Sequence, residues 1–206
     1  AIEQLSSEID ANQKDLSIIL AAGHGKRIKS EISKMIHKIW GIPSIVRVSN
    51  SVINGLKTQN QIIVIGIKGE QVATSIGKKE NVKFVWQKEQ KGTGHALRVA
   101  LEHLDSKFQG NIYVFPGDIG LITSSLVENL KKNFENSNSD LFLLTAIFPQ
   151  GDYGRVLRVP KNDILGNSSE KDENKIIEII EYKDILSLKK NYEVIFNQKC
   201  YSFSQK

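Results

Sequence analysis

The sequence predicts an α/β fold built on a doubly wound, mostly parallel sheet. Short apolar runs at residues 16–20, 61–66, 82–86 and 111–115 read as buried strands, and amphipathic stretches alternate with them. Glycine-bearing or acidic turns follow several of these runs directly. Strands that alternate with helices imply parallel pairing, and such sheets bind ligands beyond the carboxyl ends of their strands. At 206 residues, with 40% hydrophobic and 25% charged residues, the chain is long enough to bury a sizeable core and is read as one domain.

Residues 1–15 read as an N-terminal extension, a short helix or a disordered arm, because the first strand-like run begins only at Leu16. The 16–20 strand leads into Leu20-Ala21-Ala22-Gly23-His24-Gly25-Lys26-Arg27. Residues 28–40 mix basic and apolar positions until Gly41-Ile42-Pro43 interrupts them. The next stretch, 44–56, is a predicted helix with Ile45, Val48, Val52 and Leu56 on one face. A strand at 61–66, a short helix at 71–76 and a strand at 82–86 continue the alternation. A helix at 94–104 turns Ala96, Val99, Ala100 and Leu104 inward, and the strand at 111–115 closes on Pro116-Gly117-Asp118. A helix to about residue 134 and a strand at 141–148 follow. The remainder is expected to be β-rich, with a polar loop over 162–174 and strands at 175–181 and 193–203.

Composition narrows the function. No apolar run reaches the ~18 residues that a spanning helix needs, the first twelve residues are acidic and polar, and the chain reads as cytoplasmic. The formal charge of +5 favours anionic ligands. Its lysines are scattered rather than clustered among aromatics, which argues against nucleic acid. Cys200 is the only cysteine, so no internal disulfide and no cysteine-based zinc cluster can form; it reads as a buried strand residue. No fixed-period repeat is present, and the sequence leaves oligomeric state open.

The first glycine loop has the outline of a phosphate-binding turn. Gly23 and Gly25 allow close backbone approach to an anion, and Lys26, Arg27 and Lys34 supply charge suited to a triphosphate. It is not a Walker A loop, because Leu20 stands where that motif has glycine and Arg27 where it has Ser or Thr. It is not a dinucleotide fingerprint, because Ile28 replaces the third glycine and no acidic residue lies near 46–52. A glycine turn whose basic residues merely face solvent satisfies the same pattern, so the loop alone does not decide. Asp118 reads either as a Mg²⁺ ligand on a strand-end turn or as an ordinary turn aspartate. In Gln87-Lys88-Glu89-Gln90-Lys91-Gly92-Thr93-Gly94-His95-Ala96, Gln87 offers an amide to the edge of a base and the glycines allow close approach. His95 reads as a helix-surface or packing histidine.

Taken together, Leu20-Ala-Ala-Gly-x-Gly-x-Arg27, Lys34, His37, Gly41-x-Pro43, Gln87-x-x-Gln90-x-Gly-Thr-Gly-His-Ala96, Gly117-Asp118, Tyr153-Gly154-Arg155 and Glu181-x-Lys183-Asp184 form a pattern. That pattern resembles the bacterial N-acetylglucosamine-1-phosphate uridyltransferases across residues 16–203. The resemblance implies a Rossmann-like nucleotidyltransferase fold with a β-rich sugar-binding C-terminal part. It implies transfer of a uridylyl group from UTP to a hexosamine 1-phosphate, with Mg²⁺ as cofactor. Ala22, Gly23, Gln87 and Gly92 would hold the uridine, Thr93 would line the nucleotide pocket, and Arg27 and Lys34 would contact phosphates. Asp118 would hold the metal, and Gly154, Glu181 and Asn197 would contact the amino sugar. The sequence departs from the family pattern at Lys26, Ser33, Gly120 and Asn197-Gln198-Lys199, and the resemblance implies a nucleotidyltransferase domain over 16–206 that would be truncated at its C-terminal end. Turnover with another sugar phosphate, or nucleotide binding with little turnover, fits the same residues.

Overall fold

The computed structural model describes residues 2–23, 31–147, 153–158, 176–182 and 184, which fall in two compact units, Ala1–Phe142 and Leu143–Lys206. In chain order the first unit contains α1 (Ile2–Leu5), β1 (Asp15–Ala21), a 3₁₀ turn (Lys34–Ile36), β2 (Lys38–Ile39), β3 (Ile42–Pro43) and α2 (Ser44–Leu56). There follow β4 (Gln61–Ile65), α3 (Gly69–Ile76), β5 (Val82–Trp86), α4 (Thr93–Leu101), β6 (Asn111–Pro116) and α5 (Ser124–Glu135). The second unit contributes β7 (Arg155–Arg158) and β8 (Ile176–Ile180).

β1 is the axis of the first unit. It lies between β4 and β6, with β5 outside β4, giving the order β5-β4-β1-β6 with every pairing parallel. Ile19 sits opposite Ile63 and Phe115, and Ile18 opposite Ile62 and Val114. Because successive side chains in a strand point to opposite faces, these apolar runs feed two cores. Ile19, Ala21, Ile63, Ile65, Phe84, Tyr113 and Phe115 pack with Val48, Val52 and Leu56 of α2, Val72 and Ala73 of α3 and Val127 of α5. Leu16, Ile18, Ile62, Val64 and Val85 pack on the other face with Ala96 and Ala100 of α4 and with Phe108. Each large side chain buried in this way stabilises the fold by about 1.5–3 kcal/mol. The doubly wound parallel arrangement expected from the sequence is therefore the one observed.

Helix contacts are close where the sequence has small residues. A Cβ placed on Gly55 would fall 2.5 Å from Val127 Cβ, so α5 crosses α2 over that glycine. α2 ends at Lys57, whose φ of 58° is left-handed. Gly41-Ile42-Pro43, expected only to interrupt the chain, belongs to a small hairpin: Trp40 (φ 50°) and Gly41 (φ 81°) form the two-residue turn between β2 and β3. The Arg47 guanidinium lies 5.0 Å from the Trp40 ring centre.

Residues 2–14 are held down rather than free. Ser7 N–H donates to Val82 O at 2.8 Å, Phe84 N–H to Ser6 Oγ at 3.1 Å, and Asn60 exchanges bonds with Asp10 at 3.0 and 2.9 Å. The segment thereby satisfies part of the outer edge of β5, which has no further strand beside it among the described residues. The expected strand at 141–148 is corrected: residues 141–147 form no ladder, and Leu141, Leu144 and Ile147 are exposed. An apolar run becomes a strand only where its N–H and C=O groups meet a partner edge, and this one meets none among the described residues. In the second unit β7 and β8 pair antiparallel, with Leu157 and Ile180 buried. The predicted loop over 162–174 and the strand at 193–203 lie outside the described residues.

Tyr113 supplies a pH test of the core. It is buried edge-on against Phe134, and its pKa is pushed up to about 12 by burial and by the charges of Asp15 and Glu135, which outweigh the lowering effect of Asn111. The unfolded chain releases this proton near pH 10, so the folded state binds it more tightly. The contribution is intact below pH 10 and is lost as pH rises toward about 12. Tyr113→Phe is expected to flatten that part of the alkaline loss in urea midpoints measured from pH 9 to 12. An identical slope in the variant would show that the phenol does not contribute.

Candidate nucleotide-binding site

The strand order places β1 next to β6 although β4 is the next strand of this sheet in sequence, so the sheet reverses its direction of growth between β1 and β6. A crevice opens at the carboxyl ends of strands on either side of such a switch point. Here it is a cleft of about 320 Å³, within the range of small-ligand pockets. Each wall follows a strand or the 3₁₀ turn: Ala22 and Gly23 come after β1, Gln87, Gln90, Gly92 and Thr93 after β5, Pro116 and Asp118 from the end of β6, and Lys34 and Met35 from the turn.

Lys34 is aimed by its neighbour. Ser33 Oγ accepts from Met35 N–H at 3.4 Å and caps the turn, while Ser33 N–H donates to Gln71 Oε1 at 3.0 Å. A serine at this departure from the family pattern thus starts the turn that carries the lysine. Lys34 Nζ reaches Asp118 Oδ2 at 2.6 Å, its side chain 25% and the carboxylate 46% exposed. The lysine stem also passes Gly23, where an added Cβ would meet Lys34 Cε at 3.4 Å and Nζ at 3.6 Å.

The β5–α4 loop is fixed by amides. Gln90 Nε2 donates to Ala22 O at 2.7 Å, tying this loop to the end of β1. Gly66 makes room for that tie, since a Cβ there would lie 2.7 Å from Ala22 O and 3.0 Å from Gln90 Nε2. Gly92, at φ 97° and ψ −179°, occupies backbone space essentially reserved for glycine and starts α4. Gln87 is 4% exposed, and its Nε2 lies 3.2 Å from Gly92 O and 2.9 Å from His95 Nδ1.

Of the residues predicted for the site, Ala22, Gly23, Lys34, Gln87, Gly92, Thr93 and Asp118 line this one cleft. In the second unit Gly154 and Glu181 are brought together by the β7–β8 pairing: an added Cβ on Gly154 would lie 3.3 Å from Ile180 O and 3.9 Å from Glu181 Cδ. Arg27 and Asn197, with Gly25 and Lys26, lie outside the described residues. The sequence reading did not assign Gln90, Leu20, Met35, Ala96 or Pro116 to the site. Gln90 stood within the glycine-rich motif and was the most findable; the apolar four carry no chemical signal of their own.

The sequence matches the MobA-like NTP transferase domain over residues 17–161. The chain belongs to that NTP transferase family. The NTP transferase domain is 35% identical to "Bifunctional protein GlmU" of Rippkaea orientalis over 91% of this chain and 39% of that protein. It is 35% identical to the protein of the same name from Thermoanaerobacter pseudethanolicus, over 88% of this chain and 40% of that one. The chain spans about two fifths of the length of these curated relatives. Its fold is similar to that of a nucleotidyl transferase from Methanothermobacter thermautotroptrophicus (TM-score 0.51, 15% identity, 71% of this chain and 62% of that one). It is also similar to HddC from Yersinia pseudotuberculosis, whose structure is complexed with GMP-PN (TM-score 0.51, 20% identity, 82% and 69%). Among the described residues no helix of the NTP transferase domain is long and apolar enough to cross a membrane.

Proposed function

We propose that this domain transfers a uridylyl group from UTP to N-acetylglucosamine 1-phosphate, giving UDP-N-acetylglucosamine and pyrophosphate. The observation that carries the reading is the convergence on one cleft of Ala22, Gly23, Lys34, Gln87, Gly92, Thr93 and Asp118, residues far apart in sequence that all belong to the resemblance motifs. In this reading Ala22 and Gly23 with Gln87 and Gly92 hold the uridine, Thr93 lines the nucleotide pocket, and the phosphates lie beside Lys34. Arg27 is assigned to the phosphates, and Gly154, Glu181 and Asn197 to the sugar, on the resemblance.

The nucleophile is a phosphate oxygen that is already anionic, so no general base is needed. It attacks the α-phosphorus in line and pyrophosphate leaves with the electron pair of the broken P–O bond. The protein's part is to align the two anions and neutralise their charge. Lys34 does so directly, and the glycine N–H groups do so without side chains in the way. The donor set suits Mg²⁺: Asp118 is a half-exposed carboxylate that already attracts the Lys34 ammonium, and Mg²⁺ is commonly held by one or two carboxylates together with water and phosphate oxygens. When bound, the metal would supply further positive charge beside the phosphates.

Pyrophosphate release with UTP, Mg²⁺ and N-acetylglucosamine 1-phosphate tests the reading, with glucose 1-phosphate run alongside. Dependence on the amino sugar supports it. Release only with glucose 1-phosphate would replace the substrate, and no release with either would overturn turnover by this chain. Gly23→Ala makes a sharper check of the nucleotide pocket. Its added Cβ finds ordinary contact distances within the protein, so stability is expected to move by less than about 0.5 kcal/mol. UTP affinity measured by calorimetry is expected to fall about tenfold, roughly 1.4 kcal/mol. Unchanged affinity would mean that the nucleotide does not approach Gly23.

A further inference from the structure

We propose that His95 is a positioning residue that locks the Gln87 amide, so that the cleft selects a pyrimidine whose N3 carries a proton, uracil or thymine, over cytosine. The inference rests on the nucleotide-binding reading of this cleft. Its starting point is a carbonyl. Gly92 O can only accept hydrogen bonds, so the end of the Gln87 amide that faces it at 3.2 Å must be the NH₂ group. That same nitrogen faces His95 Nδ1 at 2.9 Å. One amide hydrogen goes to Gly92 O and the other to Nδ1, which must therefore be bare, so the His95 ring carries its proton on Nε2.

Both donors of Gln87 are then spent inside the protein. Its Oε1 is left on the cleft wall with no donor from any described residue. Such an acceptor, open to the cleft, is met there by water, and a ligand that displaces that water must bring an N–H in its place or leave the oxygen unpaired. Uracil and thymine present N3–H on their pairing edge. Cytosine presents a bare N3, and its lone pair would face that of Oε1. Discrimination thus depends on the amide not turning over, and His95 resists that turn. Without Nδ1, a rotated amide forfeits only the longer bond to Gly92 O and can offer its NH₂ to cytosine.

Binding of UTP and CTP is to be compared by calorimetry for the wild-type chain, His95→Leu and His95→Asn, the last retaining an acceptor. The wild type is expected to prefer UTP by about 10- to 100-fold. The ratio is expected to shrink about tenfold in His95→Leu and to recover in part in His95→Asn. Long-range ¹H–¹⁵N correlation on the wild-type protein reads the His95 tautomer directly and is expected to show a bare Nδ1; it decides the matter if the variants do not fold. A ratio unchanged in His95→Leu, a wild-type preference for CTP, or a proton on Nδ1 would overturn the role of His95 and leave nucleotide binding standing. Binding of neither nucleotide would overturn both readings.

Discussion

Asp118→Ala is expected to slow pyrophosphate release from UTP and a sugar 1-phosphate by about 100-fold or more, the loss typical of removing one pre-positioned charge-stabilising group. Stability should hardly move. The Asp118 carboxylate is about half exposed and its only hydrogen-bonded partner among the described residues is Lys34, and such pairs contribute about 0–1 kcal/mol. Lys34→Met is expected to lower the rate too, through the phosphates that its ammonium faces. Because both side chains serve the same charges, the double variant should fall well short of the product of the two single losses. Steady-state rates for the four proteins, with melting temperatures measured alongside, complete the cycle. An Asp118→Ala protein within about threefold of wild type would remove Asp118 from the reaction.

The second large effect lies at the opposite end of the sheet. Lys131→Met is expected to destabilise the fold by about 3–5 kcal/mol, because it strands a buried charge. Asp15, at the start of β1, is 5% exposed, and its Oδ2 takes Lys131 Nζ at 2.5 Å while Oδ1 has no partner among the described residues. The ammonium from α5 also donates to Leu56 O at 3.0 Å, so one group ties β1, α2 and α5 together. Asp15→Leu combined with Lys131→Met should recover much of the loss, since an apolar pair leaves nothing unpaired. Urea titrations check this: the midpoint should drop sharply with an unchanged slope. A loss below about 1 kcal/mol in the single variant would show that the pair is more solvated than its burial implies. Activity per folded molecule should persist in both variants, because the cleft lies beyond the other ends of the strands.

The sequence alone determined what depends on neighbours along the chain. The helix at 44–56 was legible because Ile45, Val48, Val52 and Leu56 recur at helical spacing, and the strands because β-branched runs end at glycine or polar turns. The cleft residues after β1, β5 and β6 were legible for the same reason: they are strand-end residues of types that bind anions, bases or metals. Tertiary structure alone decided the pairings. Lys34 with Asp118, Lys131 with Asp15, and Gln90 with the Ala22 carbonyl join residues 84, 116 and 68 positions apart. Local periodicity carries no information about such separations. The same holds for the apolar run at 141–147, whose composition suggested a strand but whose backbone meets no edge among the described residues, and for residues 2–14, which have no strong pattern yet satisfy part of the β5 edge. His95 shows the limit most plainly: its spacing suits a helix surface, and only the placement of Gln87 and the Gly92 carbonyl around one amide nitrogen gives its ring a task. Periodicity fixes which way a side chain leaves its own element, whereas its partner is set by the packing of elements distant in the chain.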